Sequence, residues 1–224
     1  MDYHDEIILI LDFGSQYTQL IARRIRELRV YSEIFPNNMS LDEIIAMNPK
    51  GIVLSGGPRS VNEADAPACD EGIFRLSVPI LGICYGLQLM VKLLGGQVEK
   101  SEKREYGKAH IFLTEKDVFL DGIPDGDVVW MSHQDKVLKM PRGFTTLARS
   151  DNSPHAAIRS TDGRIYGVQF HPEVHHTQKG KKILRNFLYG ICELNGLFSP
   201  KSFVEIATDK IKREVGDGKV VCGL

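Results

Sequence analysis

At 224 residues, 42% hydrophobic and 25% charged, the chain has the stock of a single globular core, and its net charge of −1 lacks the basic excess of a nucleic-acid binder. Its first apolar run, Ile7 to Leu11, follows acidic residues and is too short for a signal peptide, and no run approaches membrane-spanning length. The four cysteines, at 69, 84, 192 and 222, show no Cys-x-x-Cys spacing, so reduced thiols, a cytoplasmic setting and no metal site are expected.

Apolar strands alternate with amphipathic helices along the chain. Ile7 to Leu11 reads as a buried strand, and Leu20, Ile21, Ile25 and Leu28 then recur with helical period. Val30 to Phe35 is a second strand, and Ser40-Leu41-Asp42-Glu43 is a capping box that opens a short helix. Ile52-Val53-Leu54 and Pro79-Ile80-Leu81 are further strands, each running into a glycine-rich loop. The helix after the second of these stops at Leu93-Leu94-Gly95-Gly96. From about Gln97 to Ile158 the periods shorten between Gly and Asp turns, which predicts hairpins in a small antiparallel extension. Ile165 to Phe170 is strand-like, and Ile183, Leu184, Phe187, Leu188 and Ile191 mark one amphipathic helix ending at Asn195-Gly196. The alternation predicts an α/β fold: a doubly wound, mostly parallel sheet with helices on both faces.

Two strand ends carry chemistry. In Gly82-Ile83-Cys84-Tyr85-Gly86 a cysteine stands between glycines where a strand gives way to a helix, the pattern of a nucleophile elbow, in which the flanking residues must be small because backbones approach closely. The positive end of the following helix favours a thiolate there. Far downstream, the strand ending at Phe170 runs into His171-Pro172-Glu173. His171 can take the thiol proton and hand it to a departing amine, while Glu173, two residues on, is near enough to orient the imidazole. Singly, Cys84 reads as a small core residue and His171 as a strand-end residue. As a pair they predict a Cys-His-Glu triad, because the elbow glycines have no use in a mere core position.

These residues resemble a family. Gly-Ile-Cys-Tyr-Gly-Leu-Gln (82 to 88), the loop Ser55-Gly56-Gly57-Pro58 and His171-Pro172-Glu173 are similar to the class I, triad glutamine amidotransferases, whose flavodoxin-like domains release ammonia from glutamine. Within that family, Leu11-Asp12-Phe13-Gly14-Ser15-Gln16-Tyr17, Val129 to His133 and Phe170 to Thr177 resemble the branch that aminates XMP to GMP in purine biosynthesis. The resemblance implies L-glutamine as substrate and a γ-glutamyl thioester on Cys84. It also implies an oxyanion hole from the backbone N–H groups of Gly57 and Tyr85, the alternative for the glycine pair being an ordinary turn before Pro58. Gly56, Gln88, Trp130, Met131, Ser132 and His133 are then expected to bind glutamine. Where many relatives have glycine after that histidine, Gln134 stands here.

Other motif-like stretches carry less. Asp12-Phe13-Gly14 lacks the loops that accompany the kinase triplet, and Gly56-Gly57 lacks the spacing of a nucleotide loop, so no nucleotide site is expected in this chain. Residues 1–196 are predicted to be the amidotransferase domain. Residues 197–224, with a helix carrying Phe203, Ile206, Ala207 and Ile211 on one face and a strand at Val220-Val221, resemble the entry into a truncated ATP-pyrophosphatase synthetase domain, the alternative being a C-terminal helix and strand of the amidotransferase itself. By resemblance, ATP and magnesium belong to that synthetase partner, in the same longer chain or on a separate polypeptide, with no nucleic acid or membrane involved. An amidotransferase of another pathway, such as anthranilate synthesis, and a non-catalytic module on the same fold are the competing readings.

Overall fold

The computed structural model describes residues 6–216 and 218–221, and of residues 102–104, 202, 203, 205–207, 209 and 210 the backbone alone. Five strands form a parallel half: β1 (Ile7–Asp12), β2 (Tyr31–Pro36), β3 (Gly51–Leu54), β4 (Ile80–Ile83) and β9 (Ile165–Val168). Their order, β2-β1-β3-β4-β9, continues through β8 (Ala157–Ser160), β7 (Phe144–Arg149), β5 (Gln97–Leu113) and β6 (Asp127–Lys139) into one nine-stranded sheet. Strands apolar at every position suit burial on both faces. In β1, Ile8 and Ile10 face a core shared with Ile21 and Ile25 of helix α1 (Thr18–Glu27), while Leu9 and Leu11 face a second core on the other side. That second core holds Ile44 of α2 (Leu41–Met47) and Leu87, Met90 and Val91 of α3 (Tyr85–Leu93). The capping box forms as predicted, Ser40 Oγ accepting from Glu43 N–H and the Glu43 carboxylate from Ser40 N–H.

The antiparallel part is larger than a small extension. It supplies four of the nine strands, and β5 and β6, of 17 and 13 residues, are the longest of them. They pair from Gln97–Lys139 to Ile111–Asp127 with a register shift between Lys100 and Glu105, which is why the alternating pattern breaks in the sequence and reads as short pieces.

The C-terminal segment departs from the predicted single helix. An α-helical turn, α4 (Gly180–Arg185), passes into a π-helical one over Asn186–Ile191. The wider turn keeps Phe187 and Leu188 in the core while the Asn186 amide donates to the carbonyls of Phe119 and Asp121. Beyond it, the Glu6 carboxylate accepts from the backbone N–H groups of Asn195, Gly196 and Leu197, at 2.6 to 3.2 Å. Phe198 packs on Tyr31, ring centroids 5.7 Å apart, so the folded body reaches past the Gly196 boundary. Helix α5 (Pro200–Val215) follows, with Ile211 exposed; the side chains of Phe203, Ile206 and Ala207 lie outside the described residues. The strand predicted at Val220-Val221 does not form, and both side chains stand in solvent.

Candidate active site

Parallel sheets place sites at the carboxyl ends of their strands. β4 and β9 are neighbours, and the register that pairs Ile83 with Val168 brings position 84 beside 169, Cys84 N–H donating to the Val168 carbonyl at 2.8 Å. The turn out of β4 is tight. A Cβ on Gly82 would lie 2.7 Å from the Leu87 nitrogen, and one on Gly86 only 2.3 Å from the Leu54 carbonyl oxygen, so neither position admits a side chain. Cys84 itself is held at φ 51°, ψ −102°, a conformation that costs a non-glycine residue on the order of 1–3 kcal/mol. The strain turns the sulfur out over the strand ends at the head of α3.

His171 Nδ1 donates to Glu173 Oε1 at 2.7 Å, and the Cys84 sulfur lies near enough to act electrostatically on the same ring. A carboxylate can only accept, so the Nδ1 proton is fixed and proton exchange is left to the opposite nitrogen. Burial alone would lower the basicity of His171. The Glu173 carboxylate and the Cys84 sulfur outweigh it and hold the imidazole pKa well above its ordinary value. Backbone bonds fix the loop: His171 N–H donates to the Trp130 carbonyl, and Thr177 Oγ1 donates to the His171 carbonyl at 2.6 Å while accepting from Trp130 N–H. Arg24 of α1 donates to the Glu173 carbonyl at 3.0 Å, and the Tyr17 ring meets His171 edge-on at 5.3 Å.

Cys84 and His171 open into a cleft of about 660 Å³ whose lining also includes Tyr17, Gly57, Tyr85, Gln88 and Ser132. Tyr85 is the first residue of α3, so its N–H has no partner within the helix, and Gly57 lies across from it with the Tyr85 ring against its α-carbon. Gly56 sits behind, against the His171 ring, and is not part of the lining. Cys84 Sγ donates to the Ser132 carbonyl at 3.6 Å.

Of the four residues expected at 130–133, Ser132 and His133 line the cleft. Met131 is wholly buried in the apolar core, and the Trp130 ring stacks on His176 at 4.4 Å, outside the cleft lining. His133 borders the cleft, but its ring nitrogens are occupied by the Asp135 carbonyl at 2.8 Å and the Glu105 carboxylate at 3.1 Å. Gln134 and Asp135 extend the lining, with Ser60 Oγ donating to the Asp135 carboxylate. Thr177, Arg24 and Gln169 are site residues that sequence reasoning misses. Arg24 reads as solvated helix surface, and only the fold brings it to residue 173.

Among the described residues no cluster of three or more His, Cys, Asp or Glu could hold a metal ion, and no helix is long and apolar enough to cross a membrane. Burial pushes the Cys69 thiol up to about 12 and raises that of Cys192 further, which leaves both poorly reactive.

Comparison with known proteins gives a consistent result. Residues 9–191 match the family model of the class-I glutamine amidotransferases. The chain is 53% identical over all 224 residues to GMP synthase [glutamine-hydrolyzing] of Staphylococcus carnosus and 53% identical over 221 residues to that of Bacillus subtilis, and spans 44% and 43% of those proteins. It therefore spans less than half the length of the curated relatives it matches. The crystal structure of a candidate GMP synthase subunit from Thermoplasma acidophilum superposes with a TM-score of 0.76 at 34% identity, covering 91% of this chain and 98% of that one. A glutamine amidotransferase from Thermotoga maritima, at 22% identity and a TM-score of 0.63, covers 96% of this chain and 87% of its own, and shares the fold. The chain belongs to the class-I glutamine amidotransferase family.

Proposed function

We propose that this class-I glutamine amidotransferase domain hydrolyses L-glutamine and supplies the ammonia for the ATP-dependent amination of XMP to GMP. The observation that carries the chemistry is Cys84 beside the hydrogen-bonded His171–Glu173 pair at the ends of two adjacent parallel strands, with Cys84 and His171 both lining one cleft. The Cys84 thiolate attacks the side-chain amide carbonyl of glutamine, and negative charge builds on its oxygen. N–H groups of Gly57 and Tyr85 receive that charge, the geometry electrostatic stabilisation requires. His171 gives its proton to the leaving nitrogen, so the C–N bond breaks, ammonia departs and a γ-glutamyl thioester remains. Water then attacks the thioester carbonyl as His171 takes its proton. The C–S bond breaks, glutamate leaves and the thiolate–imidazolium pair is restored.

The α-amino acid end of glutamine extends along the cleft. Asp135 offers a carboxylate to its ammonium group. Both N–H groups of Gln88 are taken up within the protein, by the Asp135 carbonyl at 2.7 Å and Gln169 Oε1 at 3.3 Å, so Gln88 presents its oxygen to a substrate donor. The identity to GMP synthases over the whole chain supports XMP amination over another pathway, such as anthranilate synthesis, and the intact triad speaks against a non-catalytic module. ATP and magnesium belong in this reading to a synthetase domain outside the present sequence, which shares a longer chain or assembles with it as a separate polypeptide.

A glutamine-analogue electrophile tests the assignment. Incubation with the chain followed by peptide mass spectrometry should find the adduct on Cys84 and none on Cys69 or Cys192; an adduct elsewhere, or no adduct at all, overturns the reading.

A further inference from the structure

Gln169 follows the end of β9, is completely buried, and is separated by only Phe170 from His171. A buried primary amide has two N–H groups and an oxygen to satisfy, and which way it faces is decided by its neighbours. The Asp135 carbonyl can only accept, and it takes an N–H from Gln88 at 2.7 Å, which fixes the Gln88 nitrogen on that side. The same nitrogen meets Gln169 at 3.3 Å, so the Gln169 atom facing it is the oxygen. The Gln169 nitrogen is thereby turned toward Cys84, 3.8 Å from Sγ. The Asp135 carbonyl is itself held by His133, whose other nitrogen lies on the buried Glu105 carboxylate, which also accepts from Ser150 and Ser153. A continuous hydrogen-bonded series thus runs from the β5–β6 ribbon to the nucleophile.

The geometry points to Gln169 as a further catalytic residue, whose side-chain N–H supports the thiolate form of Cys84 in an orientation imposed by Gln88 and the Asp135 carbonyl. The two protonation states of the sulfur have separate partners. As a thiol it donates to the Ser132 carbonyl at 3.6 Å. As a thiolate it is an acceptor only, and Gln169 and His171 supply the donors. Moving between them needs no rearrangement of the backbone. An N–H donor aimed at sulfur favours the charged state, since hydrogen bonds to ionised groups are about twice as strong as neutral ones. Gln169 therefore adds to the proton management that the triad performs, and the inference rests on Cys84 being the nucleophile.

Alkylation of Cys84 by iodoacetamide as a function of pH, followed on the Cys84 peptide by mass spectrometry, tests the proposal in the full chain without glutamine. In Gln169→Met, close in shape but without the donor, the midpoint of the pH–rate curve should move up by about one pH unit. The kcat/KM for glutamine should fall roughly tenfold at neutral pH and recover as pH rises toward the new midpoint. An unmoved midpoint in a folded Gln169→Met protein overturns the proposal. Should that variant fail to fold, Gln88→Met decides. It leaves Gln169 free to turn its oxygen toward the sulfur, so a shift in the same direction supports the role and an unmoved midpoint rejects it. Failure of the glutaminase reading would appear separately, as a wild-type Cys84 that no glutamine analogue labels.

Discussion

The strands β1, β3, β4 and β9 are four to six residues long and almost entirely buried, whereas β6 runs 13 residues and alternates buried with more exposed positions over most of its length. The short parallel strands hold only apolar side chains in their interior and deliver Cys84 and His171 from their ends. The long ribbon buries polar groups instead: Glu105 and His133 pair within it, and Glu105 also accepts from Ser150 and Ser153 in the loop after β7. In the proposed reaction the reacting atoms sit where backbone geometry is most tightly determined, and the groups that orient them sit where hydrogen bonds can be exchanged. A substitution in the first region should therefore strike the chemistry and leave the fold, and one in the second should strike stability first.

The sharpest separation is expected at His171. Replacing it with asparagine should lower glutamine turnover by ~10³-fold or more, a loss larger than the roughly 1–3 kcal/mol of stability lost as the buried Glu173 carboxylate loses its partner. A His171→Asn protein with near-normal turnover would remove the catalytic role from the parallel half. In the ribbon, Glu105→Gln should cost about 2 kcal/mol of stability near neutral pH, read from denaturant unfolding. The pH dependence has a definite sign. Burial acts to raise the Glu105 pKa, but hydrogen bonds from His133, Ser153 and Ser150 outweigh it and hold the value below normal. The carboxylate's stabilisation is thus complete above its unfolded pKa of roughly 4.3 and is lost as pH falls through the lower folded one. The gap between wild type and Glu105→Gln should close over that acid range; a gap independent of pH would mean that the charge is not what stabilises the ribbon. The smallest effect belongs to Tyr85, where only the backbone N–H is assigned a catalytic part. Its hydroxyl donates to the Pro67 carbonyl at 2.6 Å, so Tyr85→Phe should lose ~1 kcal/mol of stability and change kcat by no more than about twofold.

What could be read from sequence follows the same division. The elbow was legible because Gly82 and Gly86 answer a steric demand within a few residues of the nucleophile, and His171 and Glu173 because they are two positions apart at a strand end. The doubly wound half was legible because four of its five strands are short, nearly unbroken apolar runs, β2 with Ser32 and Glu33 being the exception. The ribbon was not, since its pairing breaks at Lys100–Glu105, and the polar network joins residues 45 and 48 positions apart in sequence. Trp130 and Met131 illustrate the cost of reading a run as a wall: four consecutive strand residues span about 10 Å, and of these four only Ser132 and His133 reach the cleft lining. The helical spacing of Ile183, Leu184, Phe187 and Leu188 suits an α-helix as well as the π turn that forms.

In evolutionary terms the elbow is held against a standing pressure. At φ 51° a glycine would sit with far less strain than Cys84 does, and the sulfur adds little to a core already filled by leucine and isoleucine on both sides of β4. Selection for stability alone would drift toward the smaller residue and a more robust, inert protein. If Cys84 is the proposed nucleophile, its strained dihedral is the cost in robustness at which reactivity is placed there.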